Sequence, residues 1–333
     1  MKVMSYFMGA AVSAMMVTSA FAADDKPALI YDMGGKFDKS FNQAAYKGAE
    51  DFKKKTGIAY RDFEIQSEAQ REQALRRFAK KGFSPIVVTG FSYANAVKAV
   101  ASEYPKTKFA IIDMVVDKPN VKSVVFKEHE GSYLVGMLAM MKSKTGKVGF
   151  VGGMGIPLIQ KFACGYVQGA KAVKADAVVF QNMTGNTGAA WNNPVKGGEL
   201  AKSQISQGAD VIYHAAGGTG LGVLQAAADA GKFGIGVDSN QNYLHPGKVL
   251  TSMLKRVDVA VYNVFEDARS GHWKSGVTAL GLKEGGVGYA LDKYNKDLIT
   301  PEMKKAVEAA KAKIISGEIK VHDYMSDSKC PVK

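Results

Sequence analysis

The stretch Val211-Ile212-Tyr213-His214-Ala215-Ala216-Gly217-Gly218-Thr219-Gly220-Leu221-Gly222 reads as a strand, a glycine turn and the start of a helix. An unbroken apolar and aromatic run marks a strand covered on both faces, as in a parallel sheet. The glycines end it, and a helix is expected over 221–230. Gly234-Ile235-Gly236-Val237 is then a second strand, ending at Asp238. A strand, a crossover helix and a second strand form the β-α-β unit of parallel sheets.

The same unit repeats in both directions. Upstream, Val148-Gly149-Phe150-Val151 runs into Gly152-Gly153, followed by a helix over 158–173, an extended segment at 177–180 and a helix over 195–207. Downstream, 249–254 is a further strand. The first part of the chain carries its own series. Strands at 28–31 (ending at Asp32), 58–65, 85–88 (running into Thr89-Gly90), 108–112 (ending at Asp113) and 121–126 alternate with helices over 41–55, 68–80 and 93–104. A helix over 130–142 opens the second series. Two such series imply two doubly wound α/β lobes. The tail breaks the rhythm, with a helix over 257–269, strands at 277–282 and 287–290, and a helix over 301–315 that Thr300 caps ahead of Pro301. This tail is expected to complete both lobes, so that 23–127 with about 256–283 form one lobe and 128–255 with about 284–333 the other. The chain then crosses between lobes more than once.

Composition agrees with a globular protein of about two domains. The 333 residues are 47% hydrophobic and 23% charged, and the mean hydropathy of -0.09 excludes a multi-span membrane protein. Met1-Lys2, an uncharged apolar run over 3–17 and Ala20-Phe21-Ala22 read as a secretory signal peptide over 1–22. The run is too short for a comfortable membrane anchor. No cysteine follows the cleavage pattern, so a free exported protein without a lipid anchor is expected. In an oxidising compartment Cys164 and Cys330 fit either one disulfide or two unpaired thiols. The net charge of +13 is spread over helical lysines without interleaved aromatics, the pattern of a solvated surface and not of a nucleic-acid partner.

Ligands of open α/β sheets bind beyond the carboxyl ends of the strands. Asp32, Asp113 and Asp238 stand there, although aspartate is also a common turn residue. Glycine pairs, 152–153 and Gly217-Gly218, follow two other strands. Ser40 and Gln43 have capping-box spacing, which places Phe41 and Asn42 in the first helical turn at that same side of the sheet. Phe41 fits two readings, a ligand platform or a continuation of the apolar stripe Ala44, Ala45, Gly48, Ala49 and Phe52. Trp191 stands in a glycine-rich connection just before Asn193-Pro194, and fits either a ligand platform or a cover over the helix start. Gly218-Thr219-Gly220-Leu221-Gly222 partly imitates a dinucleotide fingerprint, but its third glycine comes one residue early. The five histidines form no metal-ligand spacing, and no nucleophile elbow or P-loop is present. No enzyme activity, metal or cofactor is expected.

The strings Asp38-Lys39-Ser40-Phe41-Asn42 with Ala45-Tyr46-Lys47-Gly48, and Trp191-Asn192-Asn193-Pro194-Val195-Lys196-Gly197, resemble the basic membrane protein (Bmp/Med/PnrA-type) family. So do Ala216-Gly217-Gly218-Thr219-Gly220, Gly236-Val237-Asp238 and Ser252-Met253-Leu254-Lys255. The resemblance runs in order through nearly the whole chain after the signal. It implies a substrate-binding protein of an ABC importer with the type I periplasmic two-lobe fold joined by a hinge, working as a monomer with a permease and an ATPase. It further implies a neutral purine nucleoside held between aromatic rings. Phe41 would be one ring and Trp191 stands near the second. Asp32 and Asp113 would face the base, Asp238 the ribose with Lys255 beside it, and Gly217 and Gly218 would let backbone approach the sugar. Some relatives bind other flat or polyol ligands, so a nucleobase, a riboflavin-like molecule or a sugar remains the alternative. The exported setting places the protein in the periplasm.

Overall fold

A computed structural model describes residues 26–332, so the signal peptide read over 1–22 lies outside the described residues. The first series forms β1 (Ala28–Tyr31), α1 (Phe41–Thr56), β2 (Arg61–Glu64), α2 (Gln70–Lys80), β3 (Ile86–Thr89), α3 (Ala94–Glu103), β4 (Phe109–Ile112) and β5 (Val121–Phe126). The second forms α4 (Glu128–Lys142), β6 (Lys147–Met154), α5 (Pro157–Val173), β7 (Val178–Gly185), α6 (Pro194–Ser206), β8 (Val211–Ala215), α7 (Gly220–Asp229), β9 (Phe233–Asp238) and β10 (Val249–Lys255). The tail adds α8 (Val257–Arg269), β11 (Gly276–Leu280), β12 (Val287–Tyr289) and α9 (Pro301–Ser316).

These strands build two six-stranded sheets, ordered β11-β5-β4-β3-β1-β2 and β12-β10-β9-β8-β6-β7. The first is parallel throughout, including β11 on β5. The second is parallel except for β12, which returns antiparallel to β10. In both sheets strand order reverses once, between β1 and β3 and between β6 and β8. Such switch points open a crevice at the strands' carboxyl ends.

The apolar central strands explain the layering. Each residue of β1, β3 and β4 is buried, because helices cover both faces. Helices α1 and α8 pair on one face of the first sheet, and α2 and α3 on the other; α4 with α5 and α6 with α7 do the same for the second. Glycines permit the α4–α5 approach. A Cβ at Gly136 would stand 2.2 Å from the Tyr166 carbonyl oxygen, and one at Gly169 2.0 Å from that of Tyr133.

The chain crosses between the sheets at Lys127, at Arg256 and over 281–286, and these three segments lie side by side. The Lys127 amide donates to the Leu280 carbonyl at 3.0 Å, and the Arg256 amide to the Gly286 carbonyl at 2.8 Å. The expected tail thus serves both sheets. Thr300 caps α9 by accepting from the Met303 amide. Of the two readings of the cysteines, the structure takes the disulfide, Cys164–Cys330, which ties the last residues to α5.

Candidate functional site

Both switch points face one cleft between the lobes. Asp32, Met33, Asp38, Phe41, Asn42, Gly90, Phe91 and Asp113 line it from the first lobe. Leu158, Ile159, Phe162, Trp191, Gly217, Asp238 and Lys255 are among those lining it from the second. Eight of the nine residues singled out in the sequence therefore stand in one wall or the other. Gly218 does not. It lies behind Gly217, where a Cβ would meet the Trp191 carbonyl oxygen at 3.3 Å.

The strand ends are bent to aim their acids. Asp113 and Asp238 have φ of 72° and 62°, a left-handed backbone that few residues other than glycine adopt. A left-handed residue at or just past the last position of a strand breaks the pleat at the cleft. Asp32 stays put by other means. Its Oδ1 accepts from Arg71 at 3.0 Å and its Oδ2 from Ser92 at 2.5 Å. A Cβ at Gly90 would stand 2.4 Å from that Oδ2, so glycine makes room for the carboxylate.

Lys255 is the buried cation of the site. Its Nζ donates to Asp113 Oδ2 at 2.6 Å and stands 2.9 Å from Glu128 Oε1. The rings of Phe41, Phe126 and Phe162 lie 5.1–5.4 Å from it, a cation–π cage. Glu128 also pairs with Lys161 at 3.0 Å, and Lys161 with Asp323 at 3.5 Å. Burial pushes Glu128 upward, but the charges of Lys255 and Lys161 outweigh it and hold the carboxyl low. Lys255 is held charged, because its acidic neighbours outweigh the cost of burying it. Burial raises Asp113 against the pull of Lys255, and raises Asp238 to about 6. The resemblance had set Lys255 beside Asp238. Lys255 follows Leu254, which pairs with Asp238, and its charge acts on Asp238, while its direct bonds go to Asp113 and Glu128.

One Asp113 oxygen, Oδ1, is buried without a partner among the described residues. Asp238 uses only Oδ2, which accepts from Ser40 at 2.6 Å. Both acids therefore keep an acceptor for a ligand donor.

The capping box does not form. Ser40 makes no side-chain cap bond. Asp38 takes that work, its carboxylate accepting from the amides of Ser40, Asn42 and Gln43 at 2.8–3.1 Å. Asn42 is buried and committed to the loop. It accepts from Thr89 Oγ1 at 2.9 Å and donates to the carbonyls of Asp32 and Gly35. Phe41 packs on the core and also lines the cleft. Trp191 ends a 3₁₀ turn, Gly188–Trp191. A Cβ on Gly153 would stand 2.1 Å from its ring, so the second glycine of that pair is the floor on which the indole lies. Asn193 caps α6, its side chain accepting from the Lys196 amide.

Sequence reasoning missed Arg71, Phe91, Glu128 and Phe162. Phe91 follows Thr89-Gly90 and the strand-end rule reaches it. Phe162 sits in an ordinary apolar helical stripe, and nothing local marks Arg71 or Glu128.

Two lobes built on largely parallel sheets, three adjacent crossings and a cleft at paired switch points define the type I periplasmic-binding-protein architecture. A glucose-galactose binding protein from Geobacillus stearothermophilus shares this fold at a TM-score of 0.56 and 14% identity. The chain belongs to the family of PnrA-like ABC transporter substrate-binding proteins, whose model matches residues 27–324. It is 35% identical over 321 residues to the ABC transporter nucleoside-binding protein BmpA of Lactococcus lactis subsp. cremoris, covering 90% of this chain and 89% of that one. It is 32% identical to basic membrane protein A of Borreliella afzelii, over 88% of this chain and 90% of the other. A solute-binding protein of an ABC transporter system from Aeropyrum pernix K1 superposes with a TM-score of 0.82 at 31% identity, covering 89% and 92%. The family consists of transport binding proteins and not enzymes, working outside the cytoplasm with permease and ATPase subunits and a small ligand. Relatives from Pyrococcus are described as lipoproteins.

Proposed function

We propose that this protein is the receptor of an ABC importer for a neutral purine nucleoside. The base would stack on Phe41, with Trp191 the second aromatic, while Asp32 and Asp113 face its donors and Asp238 accepts from the ribose hydroxyls. The observation that carries the reading is Asp113 Oδ1, a buried acceptor without a partner among the described residues, on a residue that lines the cleft. A buried polar atom without a partner costs about 1–3 kcal/mol, which a donor on a purine would offset. The nucleoside-binding name of the Lactococcus lactis relative agrees with it.

The charges support a neutral ligand. Arg71 balances Asp32, and Lys255 with Lys161 balances Asp113 and Glu128. Asp38 and Asp238 have no direct ion pair among the described residues, so a phosphate would enter beside carboxylates that no cation bonds. Calorimetry should therefore show adenosine or guanosine binding far more tightly than its monophosphate. Equal affinities would sink the reading. Mass spectrometry of the ligand released from freshly purified protein separates the nucleoside from the alternative of a nucleobase, riboflavin-like molecule or sugar.

Export without a lipid anchor completes the proposal. The intact mass of the periplasmic protein should be that of a chain starting at Ala23, with no acyl addition.

A further inference from the structure

We infer that Ser40 is a latch that holds the two lobes together through protein groups alone. The inference rests on the reading of the cleft as the binding site, and it concerns closure rather than ligand contact. Ser40 has the place in sequence of a helix N-cap, yet its hydroxyl caps nothing. Asp38 satisfies the amides of the first turn of α1 instead. The hydroxyl is thereby free to cross the cleft, where it donates to Asp238 Oδ2 at 2.6 Å.

Two further bonds join the same points. Ser239 Oγ donates to the Ser40 carbonyl at 2.8 Å, and Gln241 Nε2 to the Lys39 carbonyl at 3.1 Å. Lys39 lies in the left-handed region, at φ 60°, which turns the chain just ahead of the serine. Gln241 is itself held from behind, its Oε1 accepting from the Val237 amide at 2.9 Å and lying 2.9 Å from His214 Nε2. Ser40, Gln241 and His214 are completely buried. The strongest of these bonds has an ionised acceptor, and such bonds contribute more than neutral ones. Because donors and acceptors all belong to the protein, the latch acts before any ligand arrives and biases the free protein toward the closed form.

The test uses the dialysed, ligand-free full-length protein. Spin labels on cysteines introduced at the exposed Lys81 and Lys202, one per lobe, report the distance distribution by double electron–electron resonance. Wild type should show a closed population. Ser40→Ala should reduce its ratio to the open form roughly tenfold, as expected for losing one charge-assisted bond. Ser239→Ala should reduce it less, and Ser40→Thr, which retains the hydroxyl, should restore much of it. The melting temperature of Ser40→Ala should stay near that of wild type, because Asp38 still caps the helix. Identical distributions for wild type and Ser40→Ala would overturn the latch. So would a fall in melting temperature matching that of Asp38→Ala. Since no nucleoside is present, failure here leaves the proposed ligand standing, and failure of nucleoside binding leaves the latch to be judged on its own.

Discussion

Asp238 is buried at a cost to the fold. Burial raises its carboxyl from 3.8 to about 6. The charged form is thus penalised in the folded protein above about pH 6, and the penalty vanishes below the unfolded value near 4. Asp238→Asn removes the charge. The variant should be more stable than wild type by about 1–3 kcal/mol at pH 7.5. Thermal melts should show that advantage shrinking from pH 6 to pH 4. A constant difference across that range would show that burial of charge is not its source. A second pair of variants separates base from sugar. Phe41→Ala should weaken nucleosides and free bases alike, by about 5- to 150-fold for a stacking loss of 1–3 kcal/mol. Asp238→Ala should weaken ribonucleosides by about 2–4 kcal/mol and spare the free base. Calorimetry with adenosine and adenine gives the ratio, which should collapse only in Asp238→Ala. At this scale Asp32, Asp113 and Asp238 were legible because position after an apolar strand is a local feature. Arg71 and Glu128 were not, since each is recruited by a partner distant in sequence. Ser40 misled for a related reason. The spacing from Ser40 to Gln43 is local, whereas the competition between Asp38 and Asp238 for their partners is settled only in three dimensions.

Among the elements, α4 and α5 depend on contact that tolerates no added atom. An alanine at Gly169 would press its methyl against the Tyr133 carbonyl. Overpacking of this kind costs about 1–3 kcal/mol or more. Gly169→Ala should lower the melting temperature by several degrees, while Gly288→Ala, which meets nothing within 4 Å, should leave it unchanged. Differential scanning calorimetry of both decides it. The central strands were legible because burial on two faces writes a continuous apolar run. The edges were less so. β7 extends from Val178 to Gly185 and presents exposed and half-buried residues along its length, so only its first residues carried a signal. β2 is likewise shorter than the run suggested, ending at Arg61–Glu64.

For the whole molecule, three adjacent crossings leave each sheet intact, an arrangement compatible with closure about a hinge. We propose that 23–127 with about 256–283, and 128–255 with about 284–333, move as the two bodies. Small-angle scattering of Ser40→Ala, whose free form is expected to be more open, should show compaction on adding a saturating nucleoside, and an unchanged radius of gyration would count against closure. The duplicated rhythm made two lobes legible, but the pairing of the tail did not follow from periodicity, because β11 and β12 are short and each joins a different sheet.

The Cys164–Cys330 bond has a topological consequence. The ring it closes contains the crossing at Arg256, all of α8 and β11, and the return over 281–286. The first lobe therefore receives its last helix and strand from inside a covalent loop that begins and ends on the second. A protease that cuts once within that loop cannot divide the chain. On a gel without reductant the nicked protein should migrate as one molecule of full mass, and with reductant as two fragments. A cut before Cys164 releases a fragment either way.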